Sequence, residues 1–176
     1  MVSLMIRNLL LSSAVLLMAA SPVLADPANL LGVFKNWNAY QTGTGDNMTC
    51  YAMSAPRAVE PKGAKRAPIW LMVSDWPGRK VKAEPEIVPG YAYKAGAAVT
   101  LGIGGDRFNF FSRNDGQAGS AWLQNLKEGD ALVEALNHGV SAVAIGTSAR
   151  GTKTVDTYSL AGFNDALARI HDACKM

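Results

Sequence analysis

The chain has 176 residues, 49% of them hydrophobic, and a formal net charge of +3. Its 17 Lys and Arg are dispersed and rarely interleave with aromatics, so the charge balance gives no support for a nucleic-acid partner. With two cysteines, two histidines and neither a C-x-x-C nor an H-E-x-x-H pattern, the composition also gives no closed metal site and implies no cofactor.

The first 25 residues have the pattern of a targeting segment. Arg7 supplies a positive start, Leu9 to Ala20 forms an apolar run, Pro22 breaks it, and Val23-Leu24-Ala25 offers a cleavage site. The run is about a dozen residues, short of the roughly 20 that span a bilayer. No cysteine follows it, so lipoprotein processing is not expected, and no later stretch of the sequence is long and apolar enough to span a membrane. Cleavage after Ala25 leaves residues 26–176 as one domain. Because the removed segment carries Arg7 and no acid, the net charge falls from +3 to +2. The expected location is exported: periplasmic, outer-envelope associated or secreted.

Most of the remaining segments read as β. A strand is expected over Val33 to Tyr40, followed by a turn at Gly43 to Asn47. Met48 to Met53 alternates, which puts Met48, Cys50 and Ala52 on one face and Thr49, Tyr51 and Met53 on the other. Arg57 to Pro68 reads as a loop. Ile69 to Ser74 is an unbroken apolar run, expected to be a central strand buried on both faces and ended by Pro77-Gly78. Glu86 to Val88 and Ala121 to Leu123 read as short strands. Ala98 to Ile103 and Arg107 to Phe111 flank Gly104-Gly105-Asp106, a hairpin signal. Gly129 to Asn137 predicts a helix closed by Gly139 in the C′ position. Val140 to Ser148 and Thr152 to Ser159 form a second hairpin across Ala149-Arg150-Gly151.

The last element is the clearest. Phe163, Ala166, Leu167, Ile170 and Cys174 fall on one stripe of an amphipathic helix, with Asp165 in the first turn where the helix dipole favours an acid. Cys174 therefore faces the core, where Cys50 can meet it. In an exported protein an even pair reads as a disulfide, with free buried thiols as the alternative. The bond would close a loop of more than 100 residues and stabilise by roughly 4–5 kcal/mol. The pattern as a whole predicts a compact, mainly antiparallel β-sandwich or barrel with one short inserted helix and a C-terminal helix.

Chemistry is harder to find. Gly102 to Asp106 lacks the phosphate-loop pattern, and a strand follows it, not a helix. Gly146 to Gly151 misses the nucleophile-elbow spacing by one residue, and a strand again follows Ser148. His138 and His171 lie near helix ends, where a dipole or terminal-carbonyl contact is expected. Asp156 shares a strand face with Thr154 and Tyr158 and is read as solvated, or as a polar contact to Arg150 or a backbone amide. The basic residues Lys62, Lys65, Arg66, Arg79, Lys80 and Lys82 are read as solvated loop charges, with a weak contact to an anionic surface as the alternative. No catalytic residue is assigned, and no enzyme activity is expected. Trp76 with Arg79, Tyr91 with Tyr93, and Arg150 at its hairpin tip combine aromatics or arginine with turns. They are the candidate interaction surface, with packing at a sheet edge as the plainer reading.

The chain also resembles the invasion-associated locus B family of exported bacterial proteins. The residues that carry the likeness are Gly32 to Trp37, Cys50-Tyr51, Pro68 to Val73, Gly90 to Lys94 and Ala121-Trp122. At the C-terminal end they are Gly151-Thr152, Asp156 to Leu160, Gly162-Phe163 and Cys174. The segment from Ser112 to Ser120 departs from the pattern and reads as a Gly/polar loop. The resemblance implies an envelope-associated, mainly β domain with a paired cysteine, linked by name to host-cell entry and without established enzymatic residues. The expected role is contact with a protein or an envelope component, possession of a small-ligand or inhibitor pocket being the alternative.

Overall fold

Eleven strands and two helices make up residues 27–176, the part of the chain that the computed structural model describes. The expected targeting segment, residues 1–25, lies outside the described residues. In chain order the elements are β1 (Asn29–Phe34), β2 (Trp37–Thr42), β3 (Thr49–Ser54), β4 (Ala58–Glu60), β5 (Trp70–Trp76) and β6 (Val81–Val88). They continue with β7 (Val99–Ile103), β8 (Asp106–Asp115), β9 (Ala118–Leu123), α1 (Gly129–His138), β10 (Ser141–Thr147), β11 (Lys153–Ser159) and α2 (Phe163–Cys174). All the strands belong to one antiparallel sheet, ordered β1-β2-β3-β5-β6-β9-β8-β7-β10-β11-β4.

That order forces the sheet to roll. β3 stands third from one edge and β4 is the opposite edge, yet only Ala55 to Arg57 joins them. Three residues reach about 14 Å at most across their four peptide links, so the two ends of the sheet must lie close together. Backbone bonds complete the seam. Arg57 N–H donates to Thr157 O at 2.8 Å, and Asn36 N–H donates to Ala161 O at 3.2 Å. The buried Trp37 indole donates to Ser159 O at 3.0 Å. The fold is thus mainly β and barrel-like, with the inserted and terminal helices where the sequence puts them.

Several boundaries differ from the sequence expectations, for local reasons. Val33 to Tyr40 is two strands, because Lys35 adopts a left-handed backbone (φ 53°) and turns the chain without glycine. The expected loop Arg57 to Pro68 contains β4, too short to signal itself. Ser112 to Ser120 is not a loop: Arg113 pairs with Ser120 and Asn114 with Gly119 in the β8–β9 hairpin. Gly139 ends α1 in extended geometry (φ −72°, ψ 159°), not the left-handed one. Its glycine identity comes from space, since a Cβ there would meet Ile103 and Leu160 at 2.6 and 2.7 Å.

Helix α2 covers the inner face of β1, β2, β3 and β5 and buries Phe163, Ala166, Leu167, Ile170 and Cys174. Phe163 packs edge-on against Trp37, with ring centroids 4.9 Å apart. Gly162 precedes the helix at φ 93°, and a Cβ there would sit 1.9 Å from Phe34 O, so only glycine lets the helix approach β1 this closely. Two further links fix the helix. Cys174 is disulfide-bonded to Cys50, 124 residues earlier. His171 Nδ1 lies 2.7 Å from Asp75 Oδ2, in place of the helix-end contact expected of it. Cys50 and Asp75 are cross-strand partners, so both links land on one rung of the sheet.

Intact mass should rise by two hydrogens on reduction, and thermal unfolding of Cys174→Ser should occur well below that of the oxidised parent. The loop length gives an expected loss of about 5 kcal/mol. Two alkylatable thiols in the unreduced native protein, or an unchanged melting temperature, would contradict the pairing or its energetic role.

Candidate functional site

Opposite α2 the sheet is bare and unusually apolar. The face of β3 that carries Cys50 and Ala52 is buried, so Tyr51 and Met53 point the other way. Register then extends that outer face as one row: Val33, Asn38, Met53, Met72, Glu86, Trp122 and Phe111 stand side by side across β1, β2, β3, β5, β6, β9 and β8. Val33 and Phe111, at the two ends, are 63% and 39% exposed. The residues between them are half-buried by one another. A neighbouring row stacks Tyr40 on Tyr51, with ring centroids 5.3 Å apart. The apolar run in β5 is therefore not a strand buried on both faces. Leu71, Val73 and Asp75 are buried, while Trp70, Met72 and Trp76 stay accessible. Contiguous apolar patches of this kind mark contact sites on soluble proteins.

The row ends in a groove of about 710 Å3, lined by Trp76, Arg79, Val81 to Glu86, Phe111, Arg113, Trp122 to Gln124, Leu126 and Gly129. A β-bulge shapes its β5–β6 wall. Register shifts between Ser74, opposite Glu84, and Trp76, opposite Val81. Ala83, inside the bulge, is held at φ 53°, a conformation that costs an alanine about 1 kcal/mol or more. Its N–H donates to Asp75 Oδ1 at 2.9 Å, and this bond holds the bend. The extra residue of the bulge lies on β6, between Val81 and Glu84, so the bulge re-aims that wall of the groove, while Trp76 keeps the alternation it shares with Trp70 and Met72. Trp122 and Phe111 pack together on the floor, with centroids 5.8 Å apart, and Leu126 forms a rim, 82% exposed.

Charges flank these rings. The guanidinium of Arg79 lies 3.8 Å from the Trp76 ring centroid, and that of Arg113 lies 5.6 Å from the centroid of Phe111. Arg79 reaches Glu84 only at 4.0 Å, and among the described residues no carboxylate forms an ion pair with Arg113 or Lys82. Glu86 stands opposite Trp122 in the register. Burial pushes its carboxyl above the ordinary glutamate range; Ser120, by hydrogen bonding, works against that rise and the nearby Glu84 adds to it.

The five residues of the expected interaction surface do not form one site. Trp76 and Arg79 line the groove. Arg150 is exposed at the tip of the β10–β11 hairpin. Tyr91 and Tyr93 belong to a buried polar cluster instead, on the inward face of β11, which carries Thr154, Asp156 and Tyr158. There Arg66 grips Asp156 with both guanidinium nitrogens, their side chains 6% and 3% exposed. Arg66 is thus not the solvated loop charge expected, and it, not Arg150 or an amide, is the partner of Asp156. Its guanidinium also faces Tyr91 at 5.6 Å, and Tyr91 Oη pairs with Thr154 Oγ1 at 2.6 Å. Asn114 holds the Tyr93 backbone at both N–H and C=O, at 2.8 and 2.9 Å. Burial raises the phenols of Tyr91, Tyr93 and Tyr158, and it raises the Asp156 carboxyl against the opposing pull of Arg66. The sequence missed Phe111, Arg113, Trp122 and Leu126 as a set, because their convergence depends on register between distant strands.

Of the groups weighed for catalysis, Ser148 Oγ accepts the Thr152 N–H at 3.2 Å and so braces its own turn. His138 pairs on the surface with Glu134 at 2.9 Å, and His171 is committed to Asp75. Among the described residues there is no group of three or more His, Cys, Asp or Glu placed to hold a metal ion. No described helix is long and apolar enough to cross a membrane.

No family model and no curated protein matches the chain. Among solved structures it is similar to the crystal structure of invasion associated protein B from Bartonella henselae. The TM-score is 0.58 and the identity 15%, with 82% of this chain and 98% of that one covered. At that identity the likeness is one of fold.

Two outcomes follow from these side chains. Arg66→Met strands a buried carboxylate and should cost about 3 kcal/mol in urea unfolding, whereas Arg66→Met/Asp156→Leu should recover much of it. Equal losses in both variants would mean that packing, not charge, dominates there. Glu86, followed by carboxyl NMR, should titrate above an ordinary glutamate, higher still in Ser120→Ala and lower in Glu84→Gln. The sign for stability follows: the folded chain holds this proton more tightly than the unfolded one, so ionising Glu86 disfavours the fold. Its contribution should weaken as pH rises from the ordinary glutamate value through the raised one. A Glu86 that titrates at or below the ordinary value would refute the burial assignment.

Proposed function

We propose that the chain is an exported, non-enzymatic binding protein of the bacterial envelope, and that its partner docks on the bare outer face at the groove between β6, β9 and β8. The observation that carries this reading is the groove itself: an aromatic floor, an exposed apolar rim and flanking charges, continuous with a row that is apolar except at Asn38 and Glu86. A face with no such task would ordinarily be polar, because an antiparallel sheet packed on one side alternates apolar and polar residues. Export is supported by the targeting pattern of residues 1–25 and by a disulfide, a bond that persists in oxidising compartments. The fold is shared with a protein named as invasion associated, and contact with a host-cell component is the corresponding reading for this chain.

A second reading is favoured by one quantity. A groove of about 710 Å3 falls in the size range of small-molecule sites, so a periplasmic ligand-binding or inhibitor module is the alternative.

Site-specific photocrosslinking in the native bacterium separates these readings. A crosslinking side chain placed at Leu126 or Lys82 should give a discrete macromolecular adduct, and the same group at Lys153 or Arg150 should not. Adduct formation from the groove positions should fall when Trp122 is replaced by Ser. Identical adducts from all four positions, or none from the groove, would sink the docking assignment.

A further inference from the structure

We propose that the groove receives an extended polypeptide segment bearing a carboxylate beside an apolar side chain, the carboxylate being taken by Arg79 and Arg113. This rests on the docking role assigned to the groove above. Each of these arginines lies against an aromatic ring, Arg79 on Trp76 at 3.8 Å and Arg113 on Phe111 at 5.6 Å. A guanidinium seated over a ring leaves N–H donors for other partners, and their fork matches the two oxygens of a carboxylate. Neither arginine is consumed internally. Arg79 meets Glu84 only at 4.0 Å with its side chain 58% exposed, and Arg113 forms no ion pair among the described residues.

The apolar half of the segment has its own seat. Trp122 and Phe111 form a paired aromatic floor, and Leu126 projects from the rim. Aromatic residues beside arginine at a concave site are the composition of an interaction hot spot.

The acids of the groove select among anions. Glu84 and Glu86 line the same space, so a polyanion or an anionic bilayer pressed onto it would meet two carboxylates as well as the cations. A peptide presents backbone N–H donors to such oxygens while its own carboxylate reaches the arginines. Mixed charge on the groove therefore fits a polypeptide, where a uniformly basic rim would fit a membrane.

The test uses the oxidised mature chain and three fluorescein-labelled ten-residue peptides that alternate Leu with Glu, Ser or Lys. Fluorescence anisotropy should rank glutamate above serine above lysine, with the glutamate peptide about tenfold tighter than the lysine one. Arg79→Gln/Arg113→Gln should erase that ranking, and Arg79→Glu/Arg113→Glu should invert it. Lys153→Gln, which removes an exposed charge outside the groove, should leave it intact. Matching thermal melts confirm that the variants are folded. No binding, binding blind to peptide charge, or a ranking unchanged in the arginine variants overturns the proposal. So does preferential binding to phosphatidylglycerol vesicles over the peptides, or self-association in sedimentation that the same variants abolish. If groove-specific crosslinks persist while the peptide ranking fails, the docking role stands and the acidic-peptide assignment falls.

Discussion

Asp75 is the residue that links the helix on the inner face of the sheet to the groove on the outer face. It is fully buried, with one carboxylate oxygen on the Ala83 N–H and the other on His171. Its cross-strand neighbour Cys50 carries the disulfide to Cys174, three residues beyond His171 on the same helix. A buried carboxylate is costly unless its oxygens are satisfied, and here they are satisfied by two different parts of the chain. One oxygen holds the terminal helix on the inner face. The other holds the strained backbone of the β6 bulge, which forms a wall of the outer groove. The covalent clamp and the shape of the outer groove therefore share a single support.

A second buried charge closes the roll at its other side. Arg66 sits on the segment between β4 and β5, while Asp156 belongs to β11, so their bidentate pair ties the connecting segment down over the far edge of the sheet. Tyr91, Tyr93 and Thr154 surround the pair with phenols and a hydroxyl. A pair this buried adds little net stability compared with apolar packing, but either partner alone would be very unfavourable. Its physical effect is to fix which segment covers β11. A rolled sheet with short edge strands needs such a constraint, since β4 offers only three ladder pairs.

Much of the fold was legible in the sequence because it is local. The stripe from Phe163 to Cys174, the glycine turn at Gly104 and the alternation around Cys50 each follow from neighbours along the chain, and the cysteine pair follows from a count of two. The turn at Lys35 was not legible, since a lysine in left-handed geometry leaves no compositional mark. The candidate site was half legible. Trp76 and Arg79 stood out as an aromatic and a cation beside a turn, but Tyr91 and Tyr93 bear the same signature, and Tyr93 is buried and Tyr91 half-buried in a polar cluster. What separates the two pairs is tertiary: Asn114, Arg66 and Thr154 close over one, while the other lines the groove, with Trp76 half-buried beneath an exposed Arg79.

The most instructive difference lies in β5. An unbroken apolar run ordinarily signals burial on both faces, and the expectation for Ile69 to Ser74 followed that rule. Here Leu71 and Val73 obey it, while Trp70, Met72 and Trp76 supply the same pattern from an accessible face. The same holds one strand at a time across the row, where Met53, Trp122 and Phe111 occupy positions that alternation would give to polar residues. Methionine side chains adapt to varied surfaces, and arginine beside a ring adds directional charge recognition. Lys82 at the same groove has no ring beneath it and keeps its freedom, so it contributes attraction without orientation. A row apolar except at Asn38 and Glu86, ending in two aromatics beside Arg79 and Arg113, has a direction, largely apolar along its length and cationic at its end. That polarity distinguishes a surface built for an ordered partner from one that is merely greasy.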